Sequence, residues 1–197
     1  MKKMEYVTVY GASSPAVDDV YKQAAREVGS LLAAHGVGLV CGAGRVGLMG
    51  AAIDGALAAG GHATGVIPRF MVEKGWNHPE LTEMIVTEDM HRRKETMLRM
   101  ARGVIALPGG VGTLEELLEA ITWRQLGLYH GNIVILNTAG YYNPLIEMLE
   151  RTIERGFMRG DHSALWQVAS TPAEAVDLAV AADTHATPFS QKIPSSN

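Results

Sequence analysis

The sequence predicts a single-domain, Rossmann-like α/β fold, a doubly wound and mostly parallel sheet with helices on both faces. Three observations carry that expectation. Short apolar, β-branched runs alternate with helix-patterned stretches along the chain. Several of those runs, Gly38–Cys41 and Ile133–Leu136 among them, are apolar at consecutive positions, as strands covered on both faces must be. Glycine-bearing turns follow the strands, where such a sheet places its ligands.

Taken in order, the first strand is expected over Tyr6–Tyr10. Ser14-Pro15 then reads as an N-cap with proline at the first helical position, opening a helix over 15–34. A strand over Gly38–Cys41 leads to a helix over 47–59. Strands follow over Ala63–Ile67 and Met84–Thr87, with a helix over 90–101. The strand Val104–Leu107 feeds a helix over 113–127, and the strand Ile133–Leu136 a helix over 142–155. A short strand, Trp166–Val168, precedes a helix over 172–182, which Thr171-Pro172 starts by the same device as Ser14-Pro15. No repeat and no Gly/Ser linker divides the chain. Residues 1–183 are therefore expected to form one domain, and 184–197, ending SQKIPSSN with two prolines, a disordered tail.

Composition narrows the function classes. The 197 residues are 47% hydrophobic and 19% charged, enough for a substantial core. A net charge of −4 leaves no basic footprint for a nucleic acid polymer. No apolar run reaches the roughly 18 residues that span a bilayer, and the opening MKKMEYVTVYG lacks a signal-peptide core. The single cysteine, Cys41, excludes an intrachain disulfide and suits a reducing compartment, so a cytoplasmic location is expected. The seven histidines form no H-x-x-x-H, and there is no G-x-S-x-G elbow, so neither metal nor cofactor is called for. Lys22, Lys74 and Lys94 read as polar and solvated, which gives no support to a pyridoxal-binding lysine.

Four strand ends carry anion-friendly or reactive groups. The first is Gly11 with Ser13, small residues that let backbone and hydroxyls approach a ligand. The second, Gly42-Ala43-Gly44-Arg45-Val46-Gly47, matches G-x-G-x-x-G literally. It lies in the second strand–helix unit, however, and no acid stands about twenty residues on, where a dinucleotide ribose is gripped. General approach of a nucleotide to Gly42 and Gly44 is the better reading, with an NAD(P) oxidoreductase a lesser alternative. The third is Arg92 and Arg93 in His91-Arg92-Arg93-Lys94, cations at a helix start where the dipole opposes them unless an anion sits nearby. The fourth is Pro108-Gly109-Gly110-Val111-Gly112-Thr113-Leu114-Glu115-Glu116. Its bare amides at Gly109, Gly110 and Gly112, with the Thr113 hydroxyl, suit a phosphate at a helix mouth. The same residues also read as a T-x-x-E capping box, in which Glu116 only reaches back to the Thr113 amide and Glu115 is solvated. In a parallel sheet all four ends converge on one rim, and that convergence favours a site.

These segments resemble the LOG family, the cytokinin riboside 5′-monophosphate phosphoribohydrolases, whose members often carry the label lysine decarboxylase. The signature P-G-G-x-G-T-x-x-E is met by residues 108–116, and M-H-x-R-K by Met90–Lys94. The family's G-G-G-x-x-G-L-M-G appears as residues 42–50 with Ala43 for one glycine. Gly140-Tyr141-Tyr142-Asn143-Pro144-Leu145 is also family-like. The early C-G-S-S reads Gly11-Ala12-Ser13-Ser14, and an aspartate common before the fifth strand is replaced by Arg102 or Gly103.

The resemblance implies catalytic roles for Arg93 and Glu116, and phosphate binding by Gly109, Gly110, Gly112 and Thr113. It implies hydrolysis of the N-glycosidic bond of an adenosine 5′-monophosphate, plain or N6-modified, to a free base and ribose 5-phosphate. Glu116 would stabilise an oxocarbenium-like transition state and orient or deprotonate the attacking water, while Arg93 holds Glu116 ionised. A nucleotide carrier of the same fold, without turnover, is the competing reading. Met97, Met100, Leu114, Leu117, Leu118, Ile121, Trp123 and Leu126 exceed a single core-facing stripe, which points to a homodimer as the family does.

Overall fold

The computed structural model describes residues 4–182; the expected disordered tail, 184–197, lies outside the described residues. Seven strands form one sheet: β1 Tyr6–Tyr10, β2 Gly38–Cys41, β3 Ala63–Pro68, β4 Glu83–Thr87, β5 Gly103–Ala106, β6 Asn132–Leu136 and β7 Gln167–Ala169. Their order is β4-β3-β2-β1-β5-β6-β7, and all six pairings are parallel. The chain winds outward from β1 in one direction as far as β4, then returns to lay β5 on the other side of β1. The boundary between β1 and β5 is therefore the topological switch point, where a doubly wound sheet opens a crevice for ligand.

Among the described residues seven α-helices accompany the strands: α1 Asp19–Ala34, α2 Gly47–Ala58, α3 Arg69–Glu73, α4 Met90–Met100, α5 Val111–Gln125, α6 Asn143–Glu154 and α7 Pro172–Val180. Strand side chains alternate between two cores, as the pleat requires. Val7, Val9, Leu39, Cys41, Ile105, Leu107, Val134 and Leu136 pack with α1, α2 and α7. Tyr10, Val40, Val66, Val104, Ala106, Ile133 and Ile135 face α4, α5 and α6. The buried Thr8 is accommodated on the second face because its hydroxyl donates to the Met97 carbonyl at 2.8 Å.

Two helix starts differ from the sequence reading. Helix α1 begins at Asp19, not at residue 15. Ser14 accepts a hydrogen bond from the Ala16 amide at 3.3 Å and shapes a turn, while Asp18 holds the extended N-cap backbone. Helix α5 begins at Val111, two residues ahead of the expected start, with extended Gly110 as its N-cap. Thr171, by contrast, caps α7 as expected, accepting from the Glu174 amide at 3.2 Å. Helix α3 went unforeseen. It has five residues and none of them is buried, so it leaves no apolar period in the sequence.

Most of the surplus apolar stripe belongs to the core. Met97, Leu117 and Ile121 are buried, and Met100, Leu114 and Trp123 pack partly against them. Leu118 and Leu126 remain exposed, near Leu128 and the almost bare Val111 in sequence. No helix among the described residues is long and apolar enough to cross a membrane.

Candidate active site

A cleft of about 660 Å³ opens at the switch point, spanning the carboxyl ends of β3, β2, β1 and β5. Gly11, Ser13 and Ser14 line it after β1, and Gly42, Gly44 and Arg45 after β2. Ile67, Met71 and Trp76 enter from the β3 side, Arg93 from α4, and Gly110, Gly112, Thr113 and Glu116 from the start of α5. The four glycine- and charge-bearing strand ends therefore meet at one cleft.

Arg93 and Glu116 form its charged centre. The Arg93 Nη1 donates to Glu116 Oε1 at 2.8 Å, and its Nε donates to the Val66 carbonyl at 3.1 Å. Their side chains are only 7% and 11% exposed, so this is a desolvated, hydrogen-bonded pair. Burial pushes the Glu116 carboxyl above its ordinary range. The charge and hydrogen bond of Arg93 pull it back only in part, with Lys94 adding a smaller pull in the same direction. Arg93 thus acts in the expected sense, but it does not by itself hold Glu116 at an ordinary carboxylate pKa.

The capping-box reading fails on geometry. With Gly110 as N-cap, Thr113 is the third residue of α5 and Glu116 the sixth, too far along to reach back. No side chain caps this helix. Its first amides are left without intrahelical partners, and Gly110, Gly112 and Thr113 line that end of the chamber. Nor is Glu115 simply solvated. It accepts from Lys94 Nζ, which also reaches Glu119 Oε1 at 3.3 Å. Lys94, expected to be solvated, is buried. Burial lowers its pKa, yet the two glutamates more than compensate and the ammonium ends above its ordinary range.

Two predicted site residues stand apart from the cleft. Arg92 faces solvent and pairs with Glu95 at 3.1 Å, because adjacent helical positions point about 100° apart and Arg93 takes the inward direction. The helix-start frustration expected there is relieved by Asp89, whose carboxylate accepts from the Arg92 amide at 2.8 Å. Gly109 is buried beneath the Thr113 side chain, which a Cβ at 109 would overlap, so it shapes the turn without lining the chamber.

The G-x-G-x-x-G stretch owes its glycines to the protein's own packing. A Cβ on Gly42 would occupy the space of the Arg93 guanidinium, and one on Gly44 would come 2.8 Å from Met49 Cε. Gly47 has a positive φ of 67° and lies against the carbonyl of Ala12. No pyrophosphate is needed to explain any of the three, and the NAD(P) reading rested on this stretch alone. Ala43, standing where the family has a glycine, takes a left-handed φ of 65°. Cys41 is fully buried, which pushes its thiol up to about 11, so it offers no nucleophile. Among the described residues no group of three His, Cys, Asp or Glu is placed to hold a metal ion.

The sequence reading left the apolar wall unplaced and missed the Lys94 tether. Met49, Ile67, Met71, Trp76 and Met90 all line the cleft. The loop bearing Trp76 is stitched to the Gly42–Val46 loop by Arg45 N–H to the Trp76 carbonyl at 3.3 Å and His78 N–H to the Ala43 carbonyl at 2.8 Å.

The fold and cleft define a class: a doubly wound α/β protein with a switch-point chamber at a helix N-terminus and a buried arginine–glutamate pair in its wall. Comparison with known proteins sharpens this. The family described as possible lysine decarboxylase matches residues 49–179. The probable cytokinin riboside 5′-monophosphate phosphoribohydrolase LOGL2 of Oryza sativa subsp. japonica is 40% identical over 171 residues, covering 87% of this chain and 70% of that protein. Cytokinin riboside 5′-monophosphate phosphoribohydrolase LOG1 of Arabidopsis thaliana is 40% identical over 156 residues, or 79% and 73% of the two chains. The chain belongs to this LOG family. Among solved structures, the molybdenum cofactor binding protein of Rippkaea orientalis superposes with a TM-score of 0.71 at 22% identity, covering 90% of this chain and 96% of that one. That likeness speaks for the fold alone.

Proposed function

We propose that this protein hydrolyses the N-glycosidic bond of an adenosine 5′-monophosphate, plain or N6-modified, releasing the free base and ribose 5-phosphate. The observation that carries the reading is the buried Arg93–Glu116 pair set beside an uncapped helix mouth, in a chain of the phosphoribohydrolase family. In the reaction the C1′–N9 bond breaks and its electron pair leaves with the base. The oxygen of water bonds to C1′, and one proton of that water ends on the base. Positive charge on the ribose peaks in the transition state, where an ionised carboxylate stabilises it more than it does the substrate. Glu116 has that role and orients the water, or accepts its proton in passing. Its raised pKa makes it a better base than an exposed glutamate.

Arg93 orients Glu116, and its remaining guanidinium donors are available to the ribose. The amides of Gly110, Gly112 and Thr113 receive the 5′-phosphate, while Gly11, Ser13, Gly42 and Gly44 keep the backbone close to the nucleotide. The apolar side chains of Met49, Met71 and Trp76 give the base and any N6 substituent a surface to pack on. The reaction calls on no cofactor. A homodimer burying Val111, Leu118 and Leu126, at work in the cytoplasm, completes the proposal. The experiment is incubation with AMP and with isopentenyladenosine monophosphate, followed by chromatography for free base and ribose 5-phosphate. Release of base from either supports the reading. Saturable binding of both without release would make the protein a carrier.

A further inference from the structure

The family-like segment after β6 has no part in the reaction as described, yet its geometry is unusual. The chain leaves β6 through Ala139 and Gly140, which take left-handed φ values of 53° and 73° in succession. A non-glycine residue holds such a conformation only where its surroundings enforce it. Here Asn137 does so. Its Oδ1 accepts from the Tyr142 amide at 2.7 Å, and its Nδ2 donates to Asn143 Oδ1 at 2.7 Å. The outcome is that two consecutive phenols point back at the turn between β5 and α5. Tyr142 donates its hydroxyl hydrogen to the Leu107 carbonyl at 2.7 Å, and Tyr141 donates to the Gly109 carbonyl at 2.7 Å.

These bonds complete a pattern. The Pro108 carbonyl accepts from the Ala12 amide at 3.1 Å, and the Gly110 carbonyl from the Leu114 amide at 3.0 Å. Four successive carbonyls, 107 to 110, are thus each drawn onto a donor of the protein. In a trans peptide the carbonyl and the next N–H point in opposite directions. Holding the Gly109 carbonyl on Tyr141 therefore turns the Gly110 N–H the other way, and Gly110 lines the cleft. This peptide most needs holding. It joins two glycines, the residues whose backbone is least restricted, so no side chain of its own fixes its orientation. A flip would present a carbonyl oxygen to the ligand where an amide should be.

We infer that Tyr141 is a positioning residue of the phosphate-binding turn: its hydroxyl locks the Gly109–Gly110 peptide with the amide facing the anion. The inference rests on the reading of that turn as the 5′-phosphate site. It separates Tyr141 from Tyr142, which is buried in the core, whereas Tyr141 is 44% exposed and packs edge-on against Tyr21 and Tyr142.

The test is Tyr141→Phe, which keeps the ring contacts and removes one hydroxyl. Calorimetric titration of parent and variant with ribose 5-phosphate, AMP and adenine reads binding without requiring turnover. The expected result is a loss of about tenfold in affinity for ribose 5-phosphate and AMP, the upper range for one hydrogen bond. Affinity for adenine, which lacks the phosphate, should stay within about twofold, with melting temperature little changed. Equal losses for all three ligands, or no loss for any, would overturn the inference. So would a parent protein that binds neither phosphorylated ligand. A parent that binds ribose 5-phosphate and AMP but never releases base would refute the hydrolase reading and leave the role of Tyr141 standing.

Discussion

Gly42→Ala is the sharpest single perturbation of the proposed centre, because it acts on Arg93 without replacing a charged residue. A Cβ at position 42 would fall within the radius of Arg93 Nη2 and 2.9 Å from Cζ, whereas ordinary contact begins at 3.4 Å. The obstacle is a buried guanidinium held at both ends, by the Val66 carbonyl at 3.1 Å and Glu116 at 2.8 Å. It must retreat by roughly 1–2 Å to restore van der Waals separation. That distance breaks at least one of the two bonds. Misplacement by about 1 Å in an active centre costs about a hundredfold in rate, so kcat/KM for base release should fall by about that factor or more. Loosening a buried ion pair and overpacking its surroundings should cost about 2–4 kcal/mol, which for a chain of this length lowers the melting temperature by about 5–15 °C. The comparison variant is Gly44→Ala, whose Cβ would meet the flexible end of Met49 at 2.8 Å and leave Arg93 in place, so its loss of kcat/KM should be well below that of Gly42→Ala. Steady-state base release and thermal melts on the two variants decide the matter. A Gly42→Ala enzyme with parental kcat/KM would show that Arg93 need not stand where the structure places it.

Glu116→Gln keeps the shape and a hydrogen-bonding side chain but removes the charge; kcat should drop about a thousandfold or more while AMP binding by calorimetry stays within several-fold. Because burial raises the Glu116 pKa and only the ionised form can stabilise the ribose cation, activity should rise with pH through an acid limb lying above the ordinary carboxylate value of about 4.3, seen in a kcat/KM profile. Lys94→Gln removes a charge that lowers the Glu116 pKa, so that limb should move to higher pH, with Glu115 and Glu119 losing their tether; a limb that stays put or moves down would disconnect Lys94 from the centre. Light scattering at micromolar concentration should give twice the monomer mass, and Leu118→Glu should shift it to monomer, whereas a monomeric parent would leave the exposed apolar residues of α5 without the proposed partner.

The fold was legible because both layers of the pattern are local. Strands such as Gly38–Cys41 and Ile133–Leu136 are apolar on both faces, and their parallel pairing follows from the helices between them. What stayed hidden was carried by contacts far apart in sequence or by elements with no buried period. Helix α3 buries none of its five residues, so no apolar period announces it. Ser14-Pro15 satisfies the rules for a helix start, but the helix begins four residues later, because those rules describe local preference and the turn at 14–16 meets it equally well. Lys94 reads as solvated in sequence since its partners lie 21 and 25 positions away, on the helix of the next strand unit.

The site was legible as a convergence of strand ends, and its chemistry turned on a single register. Had Thr113 been the N-cap of α5, Glu116 would stand at N3 and reach back to the helix start, and the same nine residues would make an ordinary cap. The start at Val111 places Glu116 one turn further in, facing α4. What shifts the register is the Pro108–Gly110 turn: its carbonyls are bound by Ala12, Tyr141 and Leu114, which leaves Gly110 to serve as N-cap. Sequence alone cannot weigh those donors, because Ala12 and Tyr141 come from other strand units. The capping box and the proposed catalytic glutamate are therefore the same letters read in two frames, and the β1 and β6 turns select between them. A change that freed the turn, such as loss of the Tyr141 hydroxyl, acts on the proposed phosphate site first. The Arg93–Glu116 contact is anchored separately through Val66 and should survive it, which is why phosphate affinity and the acid limb of the rate profile are expected to respond independently.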